Sequence, residues 1–333
     1  MASKRVVTPE RLLRALADGR PRSGEELARA FGVTRAAVWK QIGKLEQWGL
    51  TVDAVPGVGY RLTRPVDLLD AAALRAALDP NAATQLAQLE VFTELDSTNR
   101  HLLAAPPASG QLRVCVAEYQ TDGRGRRGRR WSTPLAGGLC LSAGWQFPDA
   151  PADLAALTLA VGVVVRRVLA RVAGIDVGLK WPNDLVWDER KLGGILLEMT
   201  AEAQSGCYVV AGIGLNVALP PQLLRTLSDW PRGAVDLATA MRCEPPARLA
   251  LAAALIDSLA ELFADYAAEG FAAYRSDWRA ADFLKGRQVR LDAAAGSISG
   301  TAVGIEADGA LLIETAPGSR RRVIAGDVSV RSV

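Results

Sequence analysis

Between residues 8 and 48 the apolar positions recur three times at helical spacing, each time between stop and start signals. Leu12, Leu13 and Leu16 form one stripe, opened by Thr8 and Pro9 and closed by Asp18 and Gly19. Thr8 has the acceptor oxygen of an N-cap, and Pro9 suits a first helical turn. Leu27, Ala28 and Phe31 form a second stripe, which ends at Gly32. Its start carries Ser23 and Glu26, three apart, the spacing of a reciprocal capping box. Val38, Ile42 and Leu45 form the third stripe behind Thr34, with Arg35, Trp39, Lys40 and Lys44 on the opposite face.

Two helices joined by a short glycine-containing turn predict a helix-turn-helix, its last helix sized for a major groove. Residues 50–55 and 60–62 then read as short strands around the tip at 56–59, a wing with Arg61 and Arg64 at phosphate height. Trp39 lies beside the apolar stripe and is left between core packing and DNA contact. Residues 65–70 read as a linker and 71–78 as the first helix of a second domain. A strand is expected at 113–119 and helices at 249–264 and 270–278. From Arg287 onward the pattern turns to short alternating strands with Asp-Gly turns, which predicts a small barrel. Arg320, Arg321 and Arg322 read as a hairpin tip, and His101 as an exposed helix residue.

Charge changes this picture in one respect. The net charge is +3, yet residues 1–64 hold 12 basic against 6 acidic side chains while the rest hold 27 against 30. A basic front end on a mildly acidic body predicts two tasks on one chain. A length of 333 residues suits two or three domains, and 50% hydrophobic residues suit soluble ones. The most apolar stretch, 154–165, is shorter than the roughly 20 residues that cross a bilayer, and no secretory signal is expected. Cys115, Cys140, Cys207 and Cys243 are spaced too widely for a zinc pattern and read as core residues of a cytoplasmic protein. No residue is assigned as a metal ligand.

The densest chemistry lies at 123–131, Gly-Arg-Gly-Arg-Arg-Gly-Arg-Arg-Trp, with five arginines from Arg124 to Arg130. It contains a formal G-x-G-x-x-G, but the following Trp-Ser-Thr-Pro starts no helix, so a dinucleotide fold is disfavoured. Backbone amides freed by glycine, together with guanidinium forks, suit a loop that closes on phosphate or carboxylate. A solvated basic loop remains the plainer alternative at this stage.

Further motifs follow in order: Lys-Trp-Pro-Asn-Asp at 180–184, Lys-Leu-Gly-Gly-Ile-Leu at 191–196 and Gly-Ile-Gly-Leu-Asn at 212–216, with Asp-Ser-Thr-Asn at 96–99 upstream. In this combination the sequence resembles the biotin–protein ligases, and more closely the bacterial bifunctional form that is also the biotin operon repressor. The resemblance covers nearly the whole chain. It implies an α+β fold: a winged helix-turn-helix at 1–64, a central class II synthetase-like mixed-sheet catalytic domain at 65–282, and an SH3-like small barrel at 283–333. It implies that biotin and ATP, with Mg²⁺ on the phosphates, give biotinyl-5′-AMP. The biotin then passes to a lysine of a biotin carboxyl carrier domain.

The resemblance also implies site roles. Ser97, Thr98, Asn99, Gln120, Arg124, Gly125, Arg126 and Lys191 fall in the biotin site, and Arg126, Asp184 and Lys191 in the catalytic set. Lys180, Asn183, Asn216 and Trp230 fall around the adenylate. Ser97 reads equally as a helix N-cap, Asp184 as a turn cap, and Lys191 as a strand-end lysine. Arg35, Lys40, Lys44 and Arg61 are the expected DNA contacts, on an operator bound by a homodimer loaded with biotinyl-5′-AMP. A lipoate–protein ligase, which shares the catalytic fold, is disfavoured because the chain's one histidine, His101, is followed by leucine. A chain retaining only ligation or only repression remains the alternative.

Overall fold

The computed structural model describes residues 7–202, 206–224, 232–293 and 296–330. The caps at its start lie where the sequence puts them. Thr8 opens α1 (Pro9–Leu16), Ser23 and Glu26 close a reciprocal capping box at α2 (Gly24–Phe31), and Thr34 opens α3 (Arg35–Gln47). Gly32 ends α2 with φ 67°, a left-handed backbone that costs glycine nothing. The strands β1 (Val52–Val55) and β2 (Gly59–Leu62) pair antiparallel as a two-stranded wing.

This unit is not a separate bead. Trp48, 1% exposed, ends α3 and buries its indole against the next domain. Its Nε1 donates to a carboxylate oxygen of Glu94, and Lys44 Nζ lies 2.7 Å from that same oxygen. Leu135 N donates to Trp48 O at 2.9 Å, and Leu135 joins the apolar core of the N-terminal unit. Burial raises the Glu94 carboxyl, but the hydrogen bonds from Lys44 and Trp48 outweigh it and hold the pKa below the ordinary value.

The segment that links the units is clamped as well. Arg248, 5% exposed, pairs at 2.6 Å with Glu118, 3% exposed. Glu118 also accepts from Leu69 N at 2.6 Å, and Arg248 donates to the carbonyls of Asp67 and Gly138. A buried pair with its remaining polar atoms satisfied is costly to break from either side.

Two short helices, α4 (Ala71–Ala76) and α5 (Pro80–Gln85), lead into a seven-stranded mixed sheet. Chain order runs β3 (Leu86–Leu95), α6 (Thr98–Leu103), β4 (Leu112–Gln120), β5 (Gly138–Phe147), α7 (Leu157–Ala173), β6 (Gly178–Lys180), β7 (Asp184–Trp187), β8 (Arg190–Glu202) and β9 (Gly206–Asn216). Spatial order is β3-β4-β5-β9-β8-β7-β6. Only β3 and β4 pair in parallel; every other neighbour is antiparallel. Short helices α8 (Pro221–Leu224) and α9 (Leu237–Met241) precede the long α10 (Arg248–Glu269) and α11 (Ala272–Ala280).

Alternation along the central strands sorts side chains to two faces. Val114 and Val116 of β4 enter the main core, to which α7, α10 and α11 also contribute, whereas Cys115 enters a small cluster with Leu102 of α6. The sheet is therefore covered on both faces, which is why all ten residues of β5 are buried.

The last unit is a five-stranded antiparallel sheet of β10 (Gln288–Ala293), β11 (Gly296–Ile305), β12 (Leu311–Ala316), β13 (Ser319–Val323) and β14 (Asp327–Val330), in the order β13-β12-β11-β10-β14. Its apolar residues belong to the same core as the central sheet, and Trp181 Nε1 donates to Gly309 O at 3.0 Å across the junction. Three expectations are corrected here, the first being Cys243, which is exposed while Cys115, Cys140 and Cys207 are buried. Arg320, Arg321 and Arg322 lie within the edge strand β13, not at a hairpin tip, and Arg322 pairs with Glu306 and Asp308. His101 is half-buried, 2.8 Å from Glu90 Oε2 and edge-on to Phe92.

Candidate functional site

The parallel pairing of β3 with β4 sets Leu95 beside Gln120. The residues that follow β3 thereby meet the end of β4. Ser97 caps α6, as one of its two readings held, and also lines the cavity there. Thr98 donates to Gln120 Oε1 from its backbone N at 2.9 Å, and its hydroxyl lies 3.2 Å from the same oxygen. The cavity they share measures about 400 Å³, a size that takes a small organic ligand.

Its floor is made by glycines. A Cβ on Gly212 would lie 2.2 Å from Asn99 Oδ1, and one on Gly214 would lie 2.4 Å from the Trp131 ring. No side chain fits in either place, so β9 carries glycine at alternate positions here. Asn99 is 3% exposed. Its amide donates to Leu196 O at 3.1 Å and Glu198 Oε2 at 3.0 Å, and its oxygen accepts from Ser142 Oγ at 2.6 Å.

The glycine–arginine loop forms the cavity's rim. It is held as a tight hairpin: Gly125 N donates to Arg129 O at 2.7 Å, and Trp131 N to Gly123 O at 2.8 Å. Arg124, Gly125 and Arg126 all line the cavity. Arg124 pairs with Glu198 at 2.8 Å. Among the described residues no carboxylate pairs with Arg126, which donates to Asn183 Oδ1 at 3.5 Å. Burial first, then Arg127, pulls the Arg126 pKa below the ordinary value, against the attraction of Asp184. A half-buried cation with this balance gains by taking an anion.

Opposite stand β7 and β8. The Lys-Trp-Pro-Asn-Asp segment turns through a cis Trp181–Pro182 bond, and Asn183 Nδ2 donates to Ile195 O at 2.7 Å. Asp184 opens β7 with its carboxylate between two ammonium groups, Lys191 Nζ at 2.7 Å and Lys180 Nζ at 3.8 Å. Lys191 also lies 5.9 Å from the centre of the Trp131 ring, a cation–π contact. Burial pushes Lys180 down to about 8, against the pull of Asp184. Among the described residues no three carboxylate, histidine or cysteine side chains gather as a metal site.

Most of the expected residues are thus brought together: Ser97, Thr98, Asn99, Gln120, Arg124, Gly125, Arg126, Asn183, Asp184 and Lys191 line one cavity. Lys180 and Asn216 do not line it. Lys180 is buried and supports Asp184, and Asn216 spends its amide on Val235 O at 3.0 Å. Trp230 lies outside the described residues. Ser142, Trp131 and Glu198 were missed. A lone hydroxyl within the buried run of β5 was a usable signal for Ser142; nothing in the pattern marked Glu198.

The set expected to contact DNA changes too. Arg35 and Lys40 are exposed on α3, and Trp39 is 69% exposed, which removes its core reading. Arg61 is exposed on the wing and pairs with Asp53 at 3.2 Å. Lys44 is corrected: it turns toward Glu94 of the central domain and is not on the open face.

Comparison with known proteins adds to this geometry. Residues 10–61 match a helix-turn-helix domain family, residues 91–216 the biotin/lipoate A/B protein ligase family, and residues 285–331 a biotin protein ligase C-terminal domain. The chain is 37% identical over 332 residues to the bifunctional ligase/repressor BirA of Salmonella typhimurium, covering 99% of each protein. It is 31% identical to the Bacillus subtilis protein of the same name, over 92% of this chain and 93% of that one. Among solved structures it is similar to the biotin protein ligase from Aquifex aeolicus in complex with biotin and ATP. That match has a TM-score of 0.61 and 26% identity, over 74% of this chain and 100% of the other.

Proposed function

The chain belongs to the bifunctional biotin–protein ligase/repressor family, and we propose that the cavity between the arginine loop and β8 is where it makes biotinyl-5′-AMP. It is a ligase that joins biotin to protein at the expense of ATP. The observation that carries the site assignment is the meeting of three cations, Arg124, Arg126 and Lys191, with the polar set Ser97, Thr98 and Gln120 in one cavity.

A ureido ring offers two N–H donors and one carbonyl, and hydroxyls and amides answer both. The ring therefore takes the Ser97–Gln120 end. Biotin's carboxylate then points toward Arg126 and Lys191. A carboxylate oxygen attacks the α-phosphorus of ATP, the bond to the β-phosphate breaks, and pyrophosphate leaves. Two anions must approach, and charge builds on the phosphoryl oxygens; fixed cations in a part-dry site offset both. Asp184 keeps Lys191 aimed, and Lys180 supports Asp184 from behind. In the second step a carrier lysine amine attacks the acyl carbon, an amide forms, and AMP leaves. Asp184 is the carboxylate nearest to orient that amine. Mg²⁺ comes in on the ATP phosphates, consistent with its preference for phosphate and water over an all-protein cage. Asn183 borders the adenylate, with Asn216 holding the strand end beside it.

We read residues 1–64, 65–282 and 283–333 as the three domains: a winged helix-turn-helix, a class II synthetase-like catalytic domain and an SH3-like barrel. Register shifts at Ala302/Gly304 and Glu314/Ala316 in the last sheet favour the curling that a small barrel needs. Operator DNA meets Arg35, Lys40 and Arg61, and a homodimer forms when the adenylate is bound. No described helix is long and apolar enough to cross a membrane, and the cytoplasm, where carrier and operator would both be found, is the proposed compartment. The test is isotope exchange between ATP and pyrophosphate: it requires biotin if this reading holds, and exchange without biotin or no exchange at all overturns it.

A further inference from the structure

We infer that Glu198 is a positioning residue for the ligase reaction: its carboxylate ties Arg124 of the loop to Asn99 of the cavity floor, and so fixes the hydrogen-bonding pattern offered to biotin. The inference rests on the biotin site proposed above.

Glu198 sits on β8, two and four residues beyond Leu196 and Gly194, which line the cavity. By strand alternation all three share one face. Among the described residues its carboxylate has two partners, Arg124 Nη1 at 2.8 Å on one oxygen and Asn99 Nδ2 at 3.0 Å on the other. From Asn99 the contacts continue to Ser142 Oγ at 2.6 Å, from there to Thr98 Oγ1 at 2.7 Å, and from there to Gln120 Oε1 at 3.2 Å. One string of polar contacts therefore runs from the loop to the far wall.

Donor arithmetic gives the string a direction. An ionised carboxylate and a backbone carbonyl only accept. Glu198 and Leu196 O thus hold the Asn99 nitrogen between them, and the Asn99 oxygen has to face Ser142. Ser142 gives its one proton to Asn99, so the Thr98 hydroxyl gives its own to Ser142 Oγ, and Gln120 Oε1 accepts from the Thr98 backbone N at 2.9 Å. With that oxygen occupied by Thr98, the Gln120 Nε2 protons are the ones left to give to a ligand carbonyl. Neutralise Glu198 and the Leu196 carbonyl alone still holds the Asn99 nitrogen, so the contact with Ser142 and the proton order beyond it loosen. The same change releases Arg124.

The test uses the full chain and its Glu198→Gln variant, nearly equal in shape. Thermal midpoints show whether both fold; KM for biotin, KM for ATP and the release rate of biotinyl-5′-AMP are then compared. The expected result is a biotin KM and an adenylate release rate each raised about tenfold, with KM for ATP within about twofold. Adding Arg124→Gln to Glu198→Gln raises release little further, since both remove one contact. Glu198→Asp, which keeps the charge, recovers part of the biotin KM. A biotin KM and release rate within about twofold of the parent overturn the positioning role alone. Equal losses in every parameter, with a lowered thermal midpoint, overturn it in favour of a merely structural role. A parent chain that does not react with biotin at all overturns the ligase reading as well, and so separates the two failures.

Discussion

Lys191 Nζ lies 2.7 Å from Asp184 Oδ1, between neighbouring strands. The pair explains how a flexible lysine is kept pointing at a cavity whose other cations sit on a loop. Lys191→Ala removes the charge and leaves the strand pairing intact. Biotin-dependent ATP–pyrophosphate exchange is expected to fall about 10²–10³-fold, the usual cost of losing one preorganised electrostatic group. The thermal midpoint is expected to stay within a few degrees of the parent. An exchange rate equal to the parent's removes Lys191 from the chemistry.

Arg35 and Lys44 belong to the same helix yet face different partners. Arg35 is on the open side, and Lys44 is tied to Glu94. Arg35→Ala is expected to weaken binding to promoter DNA of biotin-synthesis genes and to reduce the slope of log affinity against log salt by about one. Lys44→Ala is expected to leave that slope unchanged. Fluorescence anisotropy across a salt series measures both; equal slope changes contradict the assignment of the two faces.

Asp282 lies where the central unit meets the last sheet, its Oδ1 accepting from Leu284 N at 2.9 Å and its Oδ2 buried with no hydrogen-bond partner among the described residues. Burial raises its pKa to about 6, from 3.8 in the unfolded chain. Between those values the folded protein holds a proton that the unfolded chain has lost, so stability falls as pH rises through the window. Above it the full penalty applies, of order 3 kcal/mol for a shift of roughly two units. Asp282→Asn keeps the Leu284 contact and removes the charge. It is expected to raise the thermal midpoint at pH 7.5 and to lose that advantage below about pH 4. A midpoint unchanged or lowered at pH 7.5 contradicts the account.

Local signals were the legible part of this sequence. Thr8, Ser23, Glu26 and Thr34 cap where their chemistry dictates, because a cap involves only the next three residues. That Lys191, Asp184 and the loop arginines share one cavity was legible from the motifs taken as a set. What failed depends on distant chain. The stripe on α3 shows a polar face but not that Lys44 and Trp48, one turn apart, meet Glu94. Alternation cannot show that Glu198 joins Asn99 to Arg124, since neither neighbour is on its own hairpin. The arginines at 320–322 read as a tip because charge is expected at turns; an edge strand carries it for another reason, to discourage pairing with a second sheet.

The central claim is transfer of biotin to protein, and it is tested most directly by the intact mass of a biotin carboxyl carrier domain incubated with this protein, biotin and MgATP. The account predicts that the carrier gains one biotinyl group on its acceptor lysine, and gains none when ATP is withheld or Lys191→Ala replaces the parent. A carrier whose mass stays unchanged under the complete conditions contradicts it.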